Sequence, residues 1–148
     1  MSPRKIAALV GGGVVLLIIA LIVWDILVIT DEERIEEFAD AVTEQINDEN
    51  IKTALTYTDP AVQPILVEIR GESMRFDQSG DVFGSMARTR LRPFEGTAQH
   101  VMRKSIEMGE NKANVTTETF SRQGRVSVDW ELRKRDDRWL VSRMSIHR

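Results

Sequence analysis

His100 is the one imidazole in the body of the chain, because the second histidine, His147, is next to last. Its ordinary pKa makes histidine the usual carrier of protons near neutrality, so His100 is the first candidate for catalysis. Tyr57 is the sole tyrosine, and a phenol can hydrogen-bond a ligand or a developing negative charge. Trp130, like Trp139, is expected to fill the core, and Trp130 is also a candidate for a pocket wall. Cysteine is absent, which removes thiolate zinc sites, iron–sulfur clusters and cysteine nucleophiles. With two histidines and no thiol, neither a metal nor a cofactor is expected.

Strand parity decides which of these groups can meet. Val126, Val128, Trp130 and Leu132 alternate with Ser127, Asp129, Glu131 and Arg133, the period of a strand buried on one face. Asp129 therefore points outward and is disqualified as an interior base. Residues 98–108 and 112–120 read as two further strands joined across Gly109-Glu110-Asn111, and the branched, Thr-rich run from Val115 to Phe120 suits a strand. On the first of them His100 shares parity with Met102, Lys104, Ile106 and Met108, so an inward His100 is expected. A lone histidine at such a place is more often a hydrogen-bonded or part-exposed residue than a catalyst. Gln123-Gly124 and Asp136-Asp137 supply turns, and Arg138, Trp139, Leu140 and Val141 begin the last strand, with Met144 and Ile146 beyond. Four consecutive antiparallel strands follow.

The helices come first. Thr30-Asp31-Glu32-Glu33 is a capping box, and its acids suit the positive end of a helix. Ile35, Phe38, Ala39, Val42 and Ile46 then fall on one helical stripe. Asn47-Asp48 can cap a second helix carrying Ile51, Ala54 and Leu55, which Thr58-Asp59-Pro60 ends. Tyr57 lies at that helix end, where a capping aromatic with a wet hydroxyl is expected. Residues 65–69 suit either a helix or a strand, and residues 81–91 suit a short helix closed by Arg92-Pro93. Helices ahead of an antiparallel sheet describe an α+β domain over residues 31–148.

Before that domain lies an uncharged run over residues 6–24, within a stretch where sixteen residues between Ile6 and Ile29 are Val, Leu or Ile. Roughly 20 apolar residues span a bilayer core, and each such side chain favours insertion by about 0.3–0.6 kcal/mol. Asp25 sits near one end beside Trp24, an interfacial residue. The run is longer than a cleaved leader's core and lacks a small-residue cleavage pattern. It reads as an uncleaved signal-anchor over residues 6–29, in contact with the lipid bilayer. Ala7, Ala8, Gly11 and Gly12 give it small residues four apart, a spacing that permits close helix packing in a membrane. Arg4 and Lys5 keep residues 1–5 in the cytoplasm, which places the domain on the extracytoplasmic side of the cell membrane.

Charge is unevenly spread. Residues 31–59 hold ten acids against two bases, and residues 60–148 hold sixteen bases against twelve acids. An acidic helical front docking on a mildly basic sheet accounts for this. The one dense basic run, Arg133-Lys134-Arg135 with Arg138, brackets a turn, so nucleic acid is not an expected partner.

The opening helix with Phe38-Ala39 and Val42, the second helix ending in Thr58-Asp59-Pro60, and the closing Asp137-Arg138-Trp139-Leu140-Val141 together resemble the nuclear transport factor 2-like superfamily. That resemblance covers nearly all of residues 31–148 and implies a cone-shaped α+β fold. Its enzymes, the ketosteroid isomerases among them, hold an Asp, His or Tyr inside the cone. Its membrane-anchored forms include a scaffold subunit of type IV secretion systems and accessory proteins of actinobacterial lipid importers, and their layout matches this chain better. The expected role is a non-enzymatic, single-pass membrane-anchored scaffold that joins a protein partner or itself in an envelope complex of transport or secretion type. The alternative is a tethered domain that binds a small apolar ligand near Tyr57, His100 and Trp130, with isomerase- or dehydratase-like chemistry as its active form.

Overall fold

The computed structural model describes residues 15–24, 29–78, 81–97, 99–122 and 124–148. Two compact units divide the chain, Met1–Glu33 and Arg34–Arg148. In the first, residues 15–24 are helical and exposed, and Ile29 and Thr30 are not helical. No helix among the described residues is long and apolar enough to cross a membrane. Residues 6–14 and 25–28 of the expected span, with Ala7, Ala8, Gly11, Gly12 and Asp25, lie outside the described residues.

Helix α1 (Asp31–Thr43) opens on the expected capping box. The Thr30 amide donates to Glu33 Oε2 at 2.7 Å, and the Glu33 amide donates to Thr30 Oγ1 at 3.2 Å. Both amides would otherwise lack a carbonyl in the first turn. Helix α2 (Asp48–Thr56) starts at Asn47, whose side chain accepts the Asn50 amide at 2.8 Å. Helix α3 (Val82–Leu91) runs into a 3-10 turn, Arg92–Phe94, at Pro93.

Strands β1 (Ile65–Ile69), β2 (Glu72–Phe76), β3 (His100–Met108), β4 (Lys112–Ser121), β5 (Gly124–Arg135) and β6 (Arg138–His147) form one sheet in the order β2-β1-β6-β5-β4-β3. The β3–β6 meander is antiparallel as expected, but the sheet as a whole is mixed. β1 runs parallel to β6, with Val67 opposite Met144. That pairing joins segments far apart in the chain, so no local pattern announces it. The β1–β2 hairpin was equally hidden, because β2 shows almost nothing but exposed residues. At the β5–β6 turn Asp136 and Asp137 have φ of 47° and 60°, the left-handed pair that a two-residue hairpin needs.

Two bulges bend the meander. Met102 is extra on β3, between Val101 opposite Thr119 and Arg103 opposite Glu118. Ser142 is extra on β6, between Val141 opposite Leu132 and Arg143 opposite Glu131, and its hydroxyl donates to the Glu131 carbonyl at 3.1 Å.

Helix α1 lays Ile35, Phe38 and Ala39 on one sheet face, where Val67, Ala113, Val115, Leu132 and Val141 meet them. All eight are at most 1% exposed. Salt bridges add the charge complementarity expected between the acidic helices and the later strands: Lys104 to Asp40 at 2.6 Å and Arg138 to Asp59 at 3.2 Å. Exposed pairs of this kind contribute about 0–1 kcal/mol each, so apolar packing dominates. Replacing Phe38 by Ala is expected to cost about 3–5 kcal/mol of unfolding free energy. Urea unfolding of the two proteins measures it, and a loss below 1 kcal/mol would show that Phe38 is not central to the core.

Candidate functional site

Pairing register lays out the helix-covered face in rows. Met108, Ala113, Leu132 and Val141 make the first, and Ile106, Val115, Trp130 and Met144 the second. Lys104, Thr117, Val128 and Ile146 make the third. The first two rows are wholly apolar apart from one indole N–H. The third introduces a buried hydroxyl, Thr117, and the ammonium of Lys104. Hydrogen bonding to Asp40 raises the Lys104 pKa above the usual lysine range, with burial opposing it.

His100 does not belong to this face. It pairs with Phe120, which is 52% exposed, and is itself exposed. The parity that placed it inward holds from Arg103 onward, but the extra residue at Met102 reverses the alternation for everything before it. Lys104, beyond the bulge, keeps its expected position opposite Thr117. Asp129 points outward as its parity predicts, taking a hydrogen bond from Thr116 Oγ1 at 2.9 Å and lying 3.2 Å from His147 Nε2.

Tyr57 and Trp130 do come together, through Phe38. The Phe38 ring meets Tyr57 edge-on at 5.5 Å and Trp130 edge-on at 5.2 Å between centroids, the geometry that aromatic quadrupoles favour. Tyr57 caps the C-terminus of α2, and its carbonyl accepts the Val141 amide at 2.8 Å. Contrary to expectation its side chain is buried. Its hydroxyl donates to Glu37 Oε2, which ties α2 to α1. Burial first, then the Glu37 carboxylate, push the phenol well above the ordinary tyrosine range, with Arg34 opposing weakly. A proton donor works best with a pKa near the operating pH, and this phenol has moved the other way. The pair is suited to holding two helices together.

Trp130 differs. Its Nε1 is buried and has no hydrogen-bond partner among the described residues. Trp139, by contrast, is buried within the core cluster as expected. Glu37 and Asp40 were not legible as partners of Tyr57 and Lys104, because an acid on a helix looks the same whether solvated or paired. Among the described residues, no three His, Asp or Glu side chains are placed to hold a metal ion.

The opposite sheet face is polar. Glu131 contacts Lys112 at 3.2 Å and Arg133 at 3.1 Å, and accepts from Ser142. Burial pushes the Glu131 carboxyl up, but these partners outweigh it and hold it below its usual range.

No protein-family model and no characterised protein matches the sequence. Solved structures do match in shape. An NTF-2 like protein of unknown function from Shewanella oneidensis is 13% identical with a TM-score of 0.54, covering 77% of this chain and 93% of that one. A candidate ketosteroid isomerase from Shewanella frigidimarina is 12% identical with a TM-score of 0.56, covering 77% and 91%. A de novo designed protein with a curved β-sheet is 13% identical with a TM-score of 0.57, covering 80% and 100%. The α+β fold is therefore of the nuclear transport factor 2-like kind. A design shares it, so function has to be argued from residues rather than shape.

Tyr57 makes a clean pH reporter, being the only tyrosine. Its folded pKa lies above the unfolded value of about 10, so the stability it contributes is complete below that pH and is lost as pH rises toward the folded value. Phenolate absorbance is expected to appear only together with alkaline unfolding. Free titration near pH 10 in a folded protein would contradict the buried bond to Glu37.

Proposed function

We propose that this chain is a single-pass, membrane-tethered interaction domain without catalytic activity, an accessory subunit of an envelope complex of transport or secretion type. Residues 6–29 form the tether, residues 1–5 stay in the cytoplasm, and residues 31–148 work outside. The observation that carries the non-enzymatic part is the makeup of the inner face. Its two apolar rows carry no titratable side chain, and His100, the histidine candidate for proton transfer, is exposed on the other face. The tether rests on the uncharged aliphatic run and on Arg4 and Lys5 before it.

A second reading, a tethered domain that binds a small apolar ligand, is favoured by one observation. A buried donor without a partner costs about 1–3 kcal/mol, and Trp130 Nε1 is such a donor. A ligand carrying a carbonyl or carboxylate would satisfy it. Under this reading, steroid or fatty-acid titration shifts tryptophan fluorescence, and Trp130→Phe abolishes the shift; no saturable shift would remove the reading.

For the first reading, the full chain is expected to stay in membranes through an alkaline carbonate wash. Deleting residues 6–29 should release it, and a C-terminal tag should be digested in intact spheroplasts. A washed-out full-length chain, or a protected tag, would contradict the tether or its orientation.

A further inference from the structure

Strand β3 is the long free edge of the sheet. It pairs with β4 on one side, and among the described residues no strand lies on the other. Among the described residues, β4 is the one element it contacts extensively. Unpaired backbone along an edge of this length is a template for another strand. Proteins usually blunt such edges with bulges or inward charges, and β3 has both, but only over part of its length. The Met102 bulge bends residues 100–102 out of line, and the turn at Gly109 ends the strand. Between them lies a segment in unbroken register with β4, residues 103–108.

We infer that this segment pairs antiparallel with the same segment of a second copy of the chain, across a two-fold axis at Ser105. This deepens the proposed function by naming the partner, and it rests on that reading only for the tether that concentrates the chain.

Charge selects the second copy and the register. Arg103 and Glu107 lie two residues to either side of Ser105 on the outer face, both exposed and neither in an ion pair among the described residues. With the axis at Ser105, Arg103 faces Glu107 of the second copy, and the same pair repeats on the other side of the axis. Opposite charges directly across a strand pair are favourable, and like charges are not. On the helix-covered face, Lys104 then lies against Ile106 of the second copy. Asp40 already holds the Lys104 ammonium at 2.6 Å, which leaves its alkyl stem to cover that half-buried isoleucine. Moving the axis to Lys104 sets two lysines against each other and draws in the bulge. Moving it to Ile106 sets Glu107 against Ser105 and forfeits both charge pairs. Self-complementarity about one point is what a two-fold interface requires.

Five residues of strand pairing bury far less than the roughly 1,000 Å² of a stable interface. The contact is therefore transient for molecules free in solution. Confinement in one bilayer raises the effective concentration toward about the millimolar range, where such a contact is populated.

The absence of native cysteine makes the test direct. Full-length Ser105→Cys in membranes is treated with a short bifunctional thiol reagent, with Glu72→Cys on the opposite edge strand as the control. The expected result is a covalent dimer from Ser105→Cys and none from Glu72→Cys. Adding Arg103→Glu or Glu107→Arg, each creating two like-charge pairs, should lower the cross-linked fraction about tenfold. Carrying both changes should restore it. A monomer at Ser105→Cys, equal cross-linking at both edges, indifference to the charge changes, or capture of a different protein would each overturn the pairing. Membrane retention is scored in the same samples: a retained protein that does not cross-link defeats the pairing alone, and a protein found in the soluble fraction defeats the tether.

Discussion

The structure depends on the contact between one stripe of α1 and one face of the sheet. Ile35, Phe38 and Ala39 meet Val67, Val115, Leu132 and Val141 with almost no exposure left. With no disulfide available, the domain has to rest on this packing. Phe38 also fixes the positions of Tyr57 and Trp130 by touching both edge-on. Those two residues are therefore part of the core before they are candidates for anything else.

That constraint bears on what the domain can do. Side chains consumed in the core are not free for chemistry, and the polar groups bordering it are tied. Tyr57 is held by Glu37, and Lys104 by Asp40. Among the described residues, the Trp130 indole N–H is the exception. Outside the core, Arg103 and Glu107 are exposed on the β3 edge.

How much of this was legible follows from which signals are local. The capping box at Thr30, the Asn47 cap, the α1 stripe as far as Val42 and the alternation of Val128, Trp130 and Leu132 all read correctly, because each is a pattern within a few residues, whereas Ile46, expected on the same stripe, lies beyond the helix, which ends at Thr43. The α+β class and the four-strand meander followed from them. The parallel pairing of β1 with β6 did not, since it joins segments more than seventy residues apart. His100 was misplaced for a sharper reason. Period-2 alternation assumes an unbroken ladder, and one extra residue at Met102 reverses the face of everything before it. Nothing in His100-Val101-Met102-Arg103 advertises that bulge. Ion pairs such as Asp40 with Lys104 escaped notice because their partners are distant in sequence.

If α1 and the sheet form a single core, they must open together. Native-state amide hydrogen exchange measures this residue by residue. Amides of α1 from Ile35 to Thr43 are expected to exchange with the same opening free energy as the central strands β4, β5 and β6. Helix amides exchanging at a much lower free energy, while those strands stay protected, would mean that the sheet stands without α1 and that the inner face is open to something else.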